Sequence, residues 1–136
     1  MLKRFTVSME DNLLDDFDGY IKDRHYQNRS EALRDLIRER IIEKEWQAEK
    51  EVMGVISLVY DHHQHQLQEK VTELQHNSHQ QIVSTTHVHM DHHNCLEVII
   101  VRGKAGEIRE LANSLMALRG VRNGNLSMSS TGENLH

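Results

Sequence analysis

The sequence predicts an α+β protein of two domains, and two patterns carry this prediction. Residues 1–46 begin with a short segment in which polar and apolar residues alternate, as in a strand. Two segments follow whose apolar residues recur with helical spacing, which gives a βαα order. Residues 53–130 switch between period-2 and period-3.6 patterns in the order βαββαβ. Between them, residues 47–52 lack Gly, Ser and Pro and are expected to form a helical linker. Residues 131–136 hold too little apolar content to pack and are expected to be a disordered tail.

The composition limits the classes of function. Hydrophobic residues make up 38% of the chain and charged residues 27%, and no apolar run reaches the ~18 residues that a membrane span requires. We therefore expect a cytoplasmic protein with no membrane partner. The net charge of −5 argues against general attraction to nucleic acid but allows a small recognition surface that is locally positive. The single cysteine cannot form an intrachain disulfide, so it is a metal ligand, a reactive group or a buried structural residue.

The first predicted element is a strand in RFTVSM, residues 4–9. Its apolar face holds Phe5, Val7 and Met9, and its polar face holds Arg4, Thr6 and Ser8. A strand needs a partner, and the first 50 residues contain no second one, so we expect pairing with another copy of the chain. The polar face of such a two-stranded ribbon has the size and chemistry to enter a DNA major groove.

Two amphipathic helices follow the strand. The first, DNLLDDFDGYIKDR, is expected to be capped by Asp11, and the second, NRSEALRDLIRERIIEK, by Ser30. The positive end of the second helix, with Asn28 and Arg29 just outside it, can receive a DNA phosphate. The strand, the helix and the segment Y-x-N-R-S-E-A-L-R together resemble the ribbon-helix-helix DNA-binding fold.

A generic dimerisation module is the alternative to DNA binding, because it would contain the same amphipathic helices. Residues 1–46 carry nine Lys or Arg against eleven Asp or Glu, so the domain is not basic overall. The placement of charge nevertheless favours DNA binding, since a few well-placed cations suffice to contact phosphates. The cations are Lys3, Arg4 and Arg29, and we expect the acidic group on the first helix, Asp15, Asp16 and Asp18, to lie away from them.

The second domain is predicted to be ferredoxin-like, with an antiparallel sheet that carries both helices on one face. Its strands are GVISLVYDHH, IVSTTHVHMD, NCLEVIIVRG and VRNGNLSMSS, and its helices are QHQLQEKVTELQHNSHQ and AGEIRELANSLMALRG. The segment LEVIIVRG is apolar on both faces and is expected to be a central strand. Exposed edge strands favour pairing with another subunit.

A candidate metal site lies in THVHMDHHNC, residues 86–95, which holds four histidines and the only cysteine of the chain. His87 and His89 project from one face of a strand, and after a turn Cys95 begins the next strand, so three ligands can converge. Either His76 or His79, at the end of the preceding helix, could supply a fourth. These ligand types suit zinc, nickel and copper, and residue types alone do not choose among the metals.

Nine of the eleven histidines lie between His62 and His93, and most of them need not be ligands. The turn residues His92 and His93 are expected to be solvated. A second group precedes a helix and is expected to lie on the surface, with a weak second metal site as the alternative: His62, His63 and His65.

A ribbon-helix-helix segment joined to H-V-H-x-x-x-x-x-C, over residues 4–124, resembles the nickel-responsive transcriptional regulator family. The resemblance implies a C-terminal domain of ACT type in a homotetramer, with one square-planar nickel ion per subunit. The implied ligands are His87, His89 and Cys95 of one subunit and His76 of a facing subunit. It also implies base-reading roles for Arg4, Thr6 and Ser8. The family usually has a glycine where this chain has His25.

The resemblance also implies a second, weaker cation site. Glu31 and Asp35 match carboxylates that bind a cation between domains in relatives. The alternative is an ordinary pair of carboxylates one helical turn apart on a solvated face.

The function implied is that of a DNA-binding regulator, not an enzyme. It would bind a palindromic double-stranded operator as a dimer of dimers and repress nickel-uptake genes when nickel is bound. The alternative is a cytoplasmic nickel or zinc storage or chaperone protein, which would explain the clustered histidines but not the N-terminal ribbon. A metalloenzyme is disfavoured, because four protein ligands would close the site and no nucleophile or carboxylate pair stands out.

Overall fold

The computed structural model describes residues 1–136 except for the side chain of His65. The chain divides into two compact units, Met1–Arg40 and Ile41–His136. The elements are α1 (Asp11–Asp23), α2 (Arg29–Gln47), β1 (Glu51–Asp61), α3 (His65–Asn77), β2 (Ile82–His89), β3 (Asn94–Lys104), α4 (Ala105–Met116) and β4 (Val121–Met128). The predicted α+β class and the βαββαβ order are confirmed. None of the helices in the described chain combines the length and apolar content needed to cross a bilayer.

The N-terminal segment forms no strand within the described single chain, although its alternation predicts one over residues 4–9. Phe5, Val7 and Met9 are 71%, 55% and 39% exposed. A strand requires a hydrogen-bonded neighbour, and the described part of Met1–Arg40 contains no second strand. The described single chain therefore lacks the predicted strand because the partner strand that we expect belongs to another copy of the chain.

The helix starts in this unit differ from the predicted caps. α1 begins at Asp11 itself, so this residue lies inside the helix. α2 begins at Arg29, and Asn28 Oδ1 accepts the backbone N–H of Glu31 at 2.9 Å. The cap is therefore Asn28 and not Ser30, because the side chain of Asn28 is the one that reaches a free N–H of the first turn.

His25 lies two residues after the end of α1 and adopts a left-handed backbone conformation, at φ 61°. The Tyr26 N–H donates to the Ile21 carbonyl at 3.0 Å, and the His25 N–H donates to the Lys22 carbonyl at 3.2 Å. These are the two hydrogen bonds of a Schellman motif, whose left-handed position favours glycine because a Cβ crowds the backbone there.

Replacing His25 with Gly should therefore stabilise the protein. We expect His25→Gly to raise the free energy of unfolding by about 1 kcal/mol, because relief of the left-handed strain exceeds the entropy cost of glycine. Urea denaturation at fixed protein concentration measures the change. His25→Ala keeps the strained Cβ and should give no gain, and a loss of stability in His25→Gly would contradict the argument.

The second unit contains a four-stranded antiparallel sheet in the order β2-β3-β1-β4. β3 is thus a central strand, as predicted. Alternate residues of β1 and β3 are buried. They form a core with residues of α3 and α4, which includes Val52, Ile56, Leu58, Val71, Ile99, Ile108 and Leu115. β2 is an edge strand whose residues after Ile82 are exposed, and it carries two of the predicted metal ligands.

The connection between α2 and β1 is a tight turn. The helix that was expected to continue through residues 47–52 ends at Gln47. Glu49 adopts a left-handed conformation at φ 56°, which cannot continue a helix, and β1 begins two residues later. Trp46, 2% exposed, fixes this end of the helix, because it packs in the core and its Nε1–H donates to the Ser129 carbonyl at 2.9 Å.

Candidate functional site

The β2–β3 hairpin brings three predicted ligands together at one end of the sheet. β2 pairs with β3 so that His89 lies opposite Cys95 and His87 opposite Glu97. Cys95 Sγ lies 3.6 Å from His89 Nδ1. The ring centroids of His87 and His89 are 5.0 Å apart. His89 and Cys95 therefore meet as the hairpin predicts. His87 lies beside His89, but within the described part of one chain it joins no group of three metal-capable residues, so its role as a ligand stays a prediction.

Tyr60 and Glu97 support this cluster from the buried face of the sheet. The Tyr60 hydroxyl donates to Glu97 Oε2 at 2.9 Å and lies 3.4 Å from His87 Nδ1. Burial, followed by the charge of Glu97, raises the pKa of Tyr60. Because its one proton goes to Glu97, the hydroxyl oxygen can accept from His87 Nδ1–H, which leaves His87 Nε2 free to bind a metal.

Cys95 is a fully buried thiol at the inner side of the cluster. Desolvation is the main cause that raises its pKa above the usual value, and the charge of Glu97 adds to it. The thiol therefore keeps its proton near neutral pH. A metal that binds this sulfur must displace the proton, so metal binding should weaken as the pH falls.

His62 belongs to the same cluster, although it was expected to lie on the surface. Its ring centroid is 5.0 Å from that of His89. Burial is the main cause that lowers its pKa, so the imidazole is neutral at pH 7. The sequence carried part of the signal for this position. β1 ends at Asp61, and continuing its two-residue period by one residue places His62 on the side of the sheet that carries Tyr60.

The donor set fits a divalent transition metal. His62, His89 and Cys95 each offer one ligand atom, and these atoms lie within 4.8 Å of one another. Among the described side chains, His62 Nδ1 is one of two buried nitrogen or oxygen atoms without a hydrogen-bond partner. A buried imidazole nitrogen without a partner is costly unless it binds something, and imidazole with thiolate is a ligand combination that nickel, zinc and copper accept.

His76 and His79 lie at the end of α3, apart from this cluster. Their ring centroids are 6.3 Å apart, and His79 Nδ1 lies 3.1 Å from the His76 carbonyl oxygen. Both side chains are exposed. Within the described part of one chain, neither belongs to a group of three metal-capable residues. The role of His76 as a ligand from a facing subunit stays a prediction.

The other histidines divide into two kinds. His92 is exposed in the β2–β3 turn, as expected for a solvated residue. His63 and His93 instead form a group with Asp61. The side chain of His65 lies outside the described part of the structure.

Arg29, a predicted phosphate contact, is paired with an acidic residue of α1. Its Nε and Nη2 donate to the two carboxylate oxygens of Asp18, each at 2.9 Å. The hydrogen bonds from Arg29 are the main cause that lowers the pKa of Asp18. The expected separation of Asp18 from the cations is therefore wrong. The two side chains are 59% and 44% exposed, so water weakens the pair and a phosphate can compete for Arg29.

The remaining DNA-facing candidates lie in exposed positions. Arg4, Thr6 and Ser8 are exposed in the N-terminal segment, and Asn28 is exposed at the start of α2. The Asn28 side chain is already used as the helix cap, so only its remaining hydrogen-bonding capacity is available to DNA.

The predicted second cation site contains a carboxylate that already has partners. Asp35 accepts the Tyr26 hydroxyl at 2.8 Å and Arg38 Nη1 at 3.0 Å. The hydrogen bond to Asp35 is the main cause that raises the pKa of Tyr26 to about 12. In the described chain, Glu31 and Asp35 join no group of three metal-capable residues. A cation there would compete with Arg38, and the site stays a prediction.

Two family models match the chain, one for each half. The model described as "NikR C terminal nickel binding domain" matches residues 53–129. The model described as "Ribbon-helix-helix protein, copG family" matches residues 3–44. A protein of Desulfotalea psychrophila named "Putative nickel-responsive regulator" is 65% identical over 136 residues, which is 100% of both chains. The chain belongs to the nickel-responsive regulator family.

Other relatives agree with this assignment. A protein of the same name from Geobacter sulfurreducens is 50% identical over 134 residues, with 98% of this chain and 96% of that protein covered. A solved structure, uncharacterized protein TM1266 from Thermotoga maritima, matches with a TM-score of 0.51 at 18% identity. It covers 57% of this nickel-responsive regulator and 96% of that chain, and it supports the fold alone.

These comparisons confirm the predicted family and its two domain types. The match of the nickel-binding domain covers the whole cluster around Cys95, from Tyr60 to Glu97. The match of the ribbon-helix-helix domain covers Arg4, Thr6, Ser8, Asn28 and Arg29. The candidate ligands around Cys95 and the DNA-facing candidates of this nickel-responsive regulator thus fall in separate domains.

Proposed function

We propose that this regulator is a cytoplasmic homotetramer that represses nickel-uptake genes by binding a palindromic operator when nickel is bound. The observation that carries the proposal is the pair His87 and His89 on the exposed edge strand β2, with the buried Cys95 opposite His89 on β3, in the same chain as a DNA-binding domain. An exposed metal-capable edge can be completed by a second subunit. The fourth ligand in this proposal is His76 of a facing subunit, with one nickel ion per subunit.

The N-terminal segment supports a DNA-binding dimer. Phe5, Val7 and Met9 expose apolar surface that an antiparallel copy of the same strand would bury. The pairing would leave Arg4, Thr6 and Ser8 on the outer face of a ribbon, where they can contact base edges.

Phosphate contacts would come from the start of α2. Arg29 and the N-terminal end of that helix can hold the DNA backbone beside the ribbon. The Asp18 carboxylate would have to yield part of its contact with Arg29 for this to happen.

The sheet of the second unit supports the tetramer. The residues of β1 and β3 that point away from the core are only partly buried in the single chain, and they include Met53, Val55, Val59, Leu96, Val98 and Ile100. A largely apolar sheet face of this size is usually covered by another layer, and a second copy of the sheet is the simplest cover.

Regulation would act through a shift in the population of domain orientations. A bound ion supplies a link between ligands of two subunits. His87 is oriented by Tyr60 and Glu97, and Cys95 gives up its proton on binding. Linked subunits favour those arrangements in which two DNA-binding dimers can occupy two half-sites together, so no chemistry on a substrate is needed.

A gel-shift titration tests this proposal with two duplexes, one with two half-sites and one with a single half-site, at fixed salt. Nickel should tighten binding to the two-half-site duplex by about 5- to 150-fold, the usual range of allosteric coupling. It should change binding to the single half-site far less, because alignment adds no contact within one dimer. Equal affinity with and without nickel would end the regulator proposal and leave metal storage as the better explanation.

A further inference from the structure

A second group of metal-capable side chains lies outside the cluster around Cys95. The ligand atoms of Asp61, His63 and His93 all lie within 4.8 Å of one another. Asp61 ends β1, His63 lies in the turn before α3, and His93 lies in the turn between β2 and β3. Two turns that are 30 residues apart in sequence (63 to 93) therefore meet at one end of the sheet.

Hydrogen bonds fix the backbone of both turns. Asp61 Oδ1 accepts the N–H of His63 at 2.9 Å, and Asp91 Oδ1 accepts the N–H of His93 at 2.8 Å. The N–H of His62 donates to the carbonyl of His93 at 3.0 Å, which joins the two turns directly. The backbone that carries these three side chains is therefore already ordered, so binding one ion costs little additional conformational entropy.

The side chains of the group are packed together as well. The His63 ring centroid is 4.1 Å from that of His62 and 5.5 Å from that of His93. His63 Nδ1 lies 3.2 Å from Asp61 Oδ1. Ligand atoms bound to one ion at about 2.0–2.2 Å lie at most about 4.4 Å apart, so small side-chain rotations suffice to bring all three onto one ion.

The surrounding charge indicates a weak site. The Asp61 side chain is 16% exposed, whereas that of His63 is 59% exposed, so water can reach the open side of the group. Arg122 Nη2 lies 3.9 Å from Asp61 Oδ2 and would oppose a divalent ion. Arg122 also donates to Asn94 Oδ1 at 2.8 Å, which keeps the guanidinium beside the turn.

We propose that Asp61, His63 and His93 hold a second divalent transition metal ion, with water completing its coordination. Two imidazoles and one carboxylate suit borderline ions such as nickel, zinc and copper better than calcium or magnesium, which prefer oxygen ligands. This site differs from the carboxylate pair at Glu31 and Asp35. It contains no thiolate, so its occupation leaves the absorption of the Cys95 centre unchanged.

Equilibrium dialysis of the full chain against nickel alone tests the proposal, with the thiolate charge-transfer band recorded in parallel. Wild type should bind a second ion per chain, more weakly than the first, without further change in the band. Asp61→Asn, His63→Gln and His93→Gln should each lose this second ion while the band stays at full height. His92→Gln is the matched control, because His92 is the exposed neighbour of His93 in the same turn, and it should keep both ions.

Three results would overturn the proposal. The first is wild type that binds only one ion per chain at saturating nickel. The second is a second ion retained in all three variants, or lost equally in His92→Gln, since either would mean diffuse binding to surface histidines. The third is loss of the thiolate band in His63→Gln or His93→Gln, since these residues would then belong to the Cys95 centre.

Discussion

Replacing Cys95 with Ser, or His89 with Ala, should lower the affinity for nickel by more than about 100-fold. Loss of a residue that only orients a ligand costs about 10- to 100-fold, and loss of a ligand should exceed that range. The two side chains face each other across the β2–β3 ladder, with Cys95 Sγ 3.6 Å from His89 Nδ1, so each variant removes a donor from the same centre. A competition titration against a chelator of known affinity measures the loss.

The spectrum separates the two variants. Cys95→Ser should abolish the thiolate charge-transfer band at any nickel concentration, whereas His89→Ala should allow a weakened band at high nickel. Cys95→Ser fills nearly the same volume, and its hydroxyl has a candidate hydrogen-bond partner in His89 Nδ1, which lies 3.6 Å from Cys95 Sγ, so the core around this fully buried residue should stay folded. Unchanged affinity in either variant would contradict the assignment of the centre.

Two variants near the Cys95 cluster are controls, for which we expect a smaller loss of nickel affinity or none. Tyr60→Phe removes the hydroxyl that lies 2.9 Å from Glu97 and 3.4 Å from His87, and it should cost about 10- to 100-fold in affinity. His92→Ala should have little effect, because this side chain is exposed in the turn. A large loss in His92→Ala would mean that His92 of the turn is itself a ligand.

The same titration decides between two histidines for the fourth position. The proposed tetramer takes His76 from a facing subunit, so His76→Ala should lose affinity to the same degree as His89→Ala. His62 lies beside Cys95 within the single chain, and its buried Nδ1 has no hydrogen-bond partner among the described residues. If His62→Ala loses as much affinity and His76→Ala loses none, the fourth ligand is His62.

Strand geometry explains how much of the centre could be predicted from the sequence. Residues two apart in a strand share a face, so the position of His87 beside His89, and the meeting of His89 with Cys95, follow from the local spacing and one short hairpin. The surface position expected for His62 rests on its place before a helix, whereas the structure brings it beside His89 of another strand. Its position depends on the pairing of Tyr60 with Cys95 between β1 and β3, and this long-range register is not visible in either segment alone.

In the N-terminal domain, too, contacts between distant residues could not be predicted from the sequence. The helices follow from 3.6-residue spacing, and the predicted strand requires a second chain. The ion pair between Asp18 and Arg29 spans 11 residues and two helices. Its formation depends on how the chain turns between α1 and α2, where His25 takes a left-handed conformation that its residue type does not favour. Charge spacing along the chain therefore could not predict that Arg29 has a partner.

The outer face of the proposed ribbon is tested by replacing Arg4 with Ala. If Arg4 makes a bidentate contact with a base, Arg4→Ala should cost roughly 1 to 3 kcal/mol at the specific operator and should relax specificity at that base pair. The loss should appear with nickel bound and should leave nickel affinity unchanged, because Arg4 and Cys95 lie in separate domains. Gel-shift titrations against the operator and a scrambled duplex measure both effects.

Arg29→Ala is the matched comparison, since it removes an arginine of the same domain that is proposed to contact phosphate. It should weaken binding to operator and scrambled DNA alike and reduce the salt dependence by about one counterion, or less to the extent that Asp18 already neutralises Arg29. Cys95→Ser, with nickel present, should bind the operator as weakly as wild type does without nickel. If Arg4→Ala instead weakens both duplexes equally, Arg4 contacts only the backbone, and the bases must be read by other residues of the ribbon such as Thr6 or Ser8.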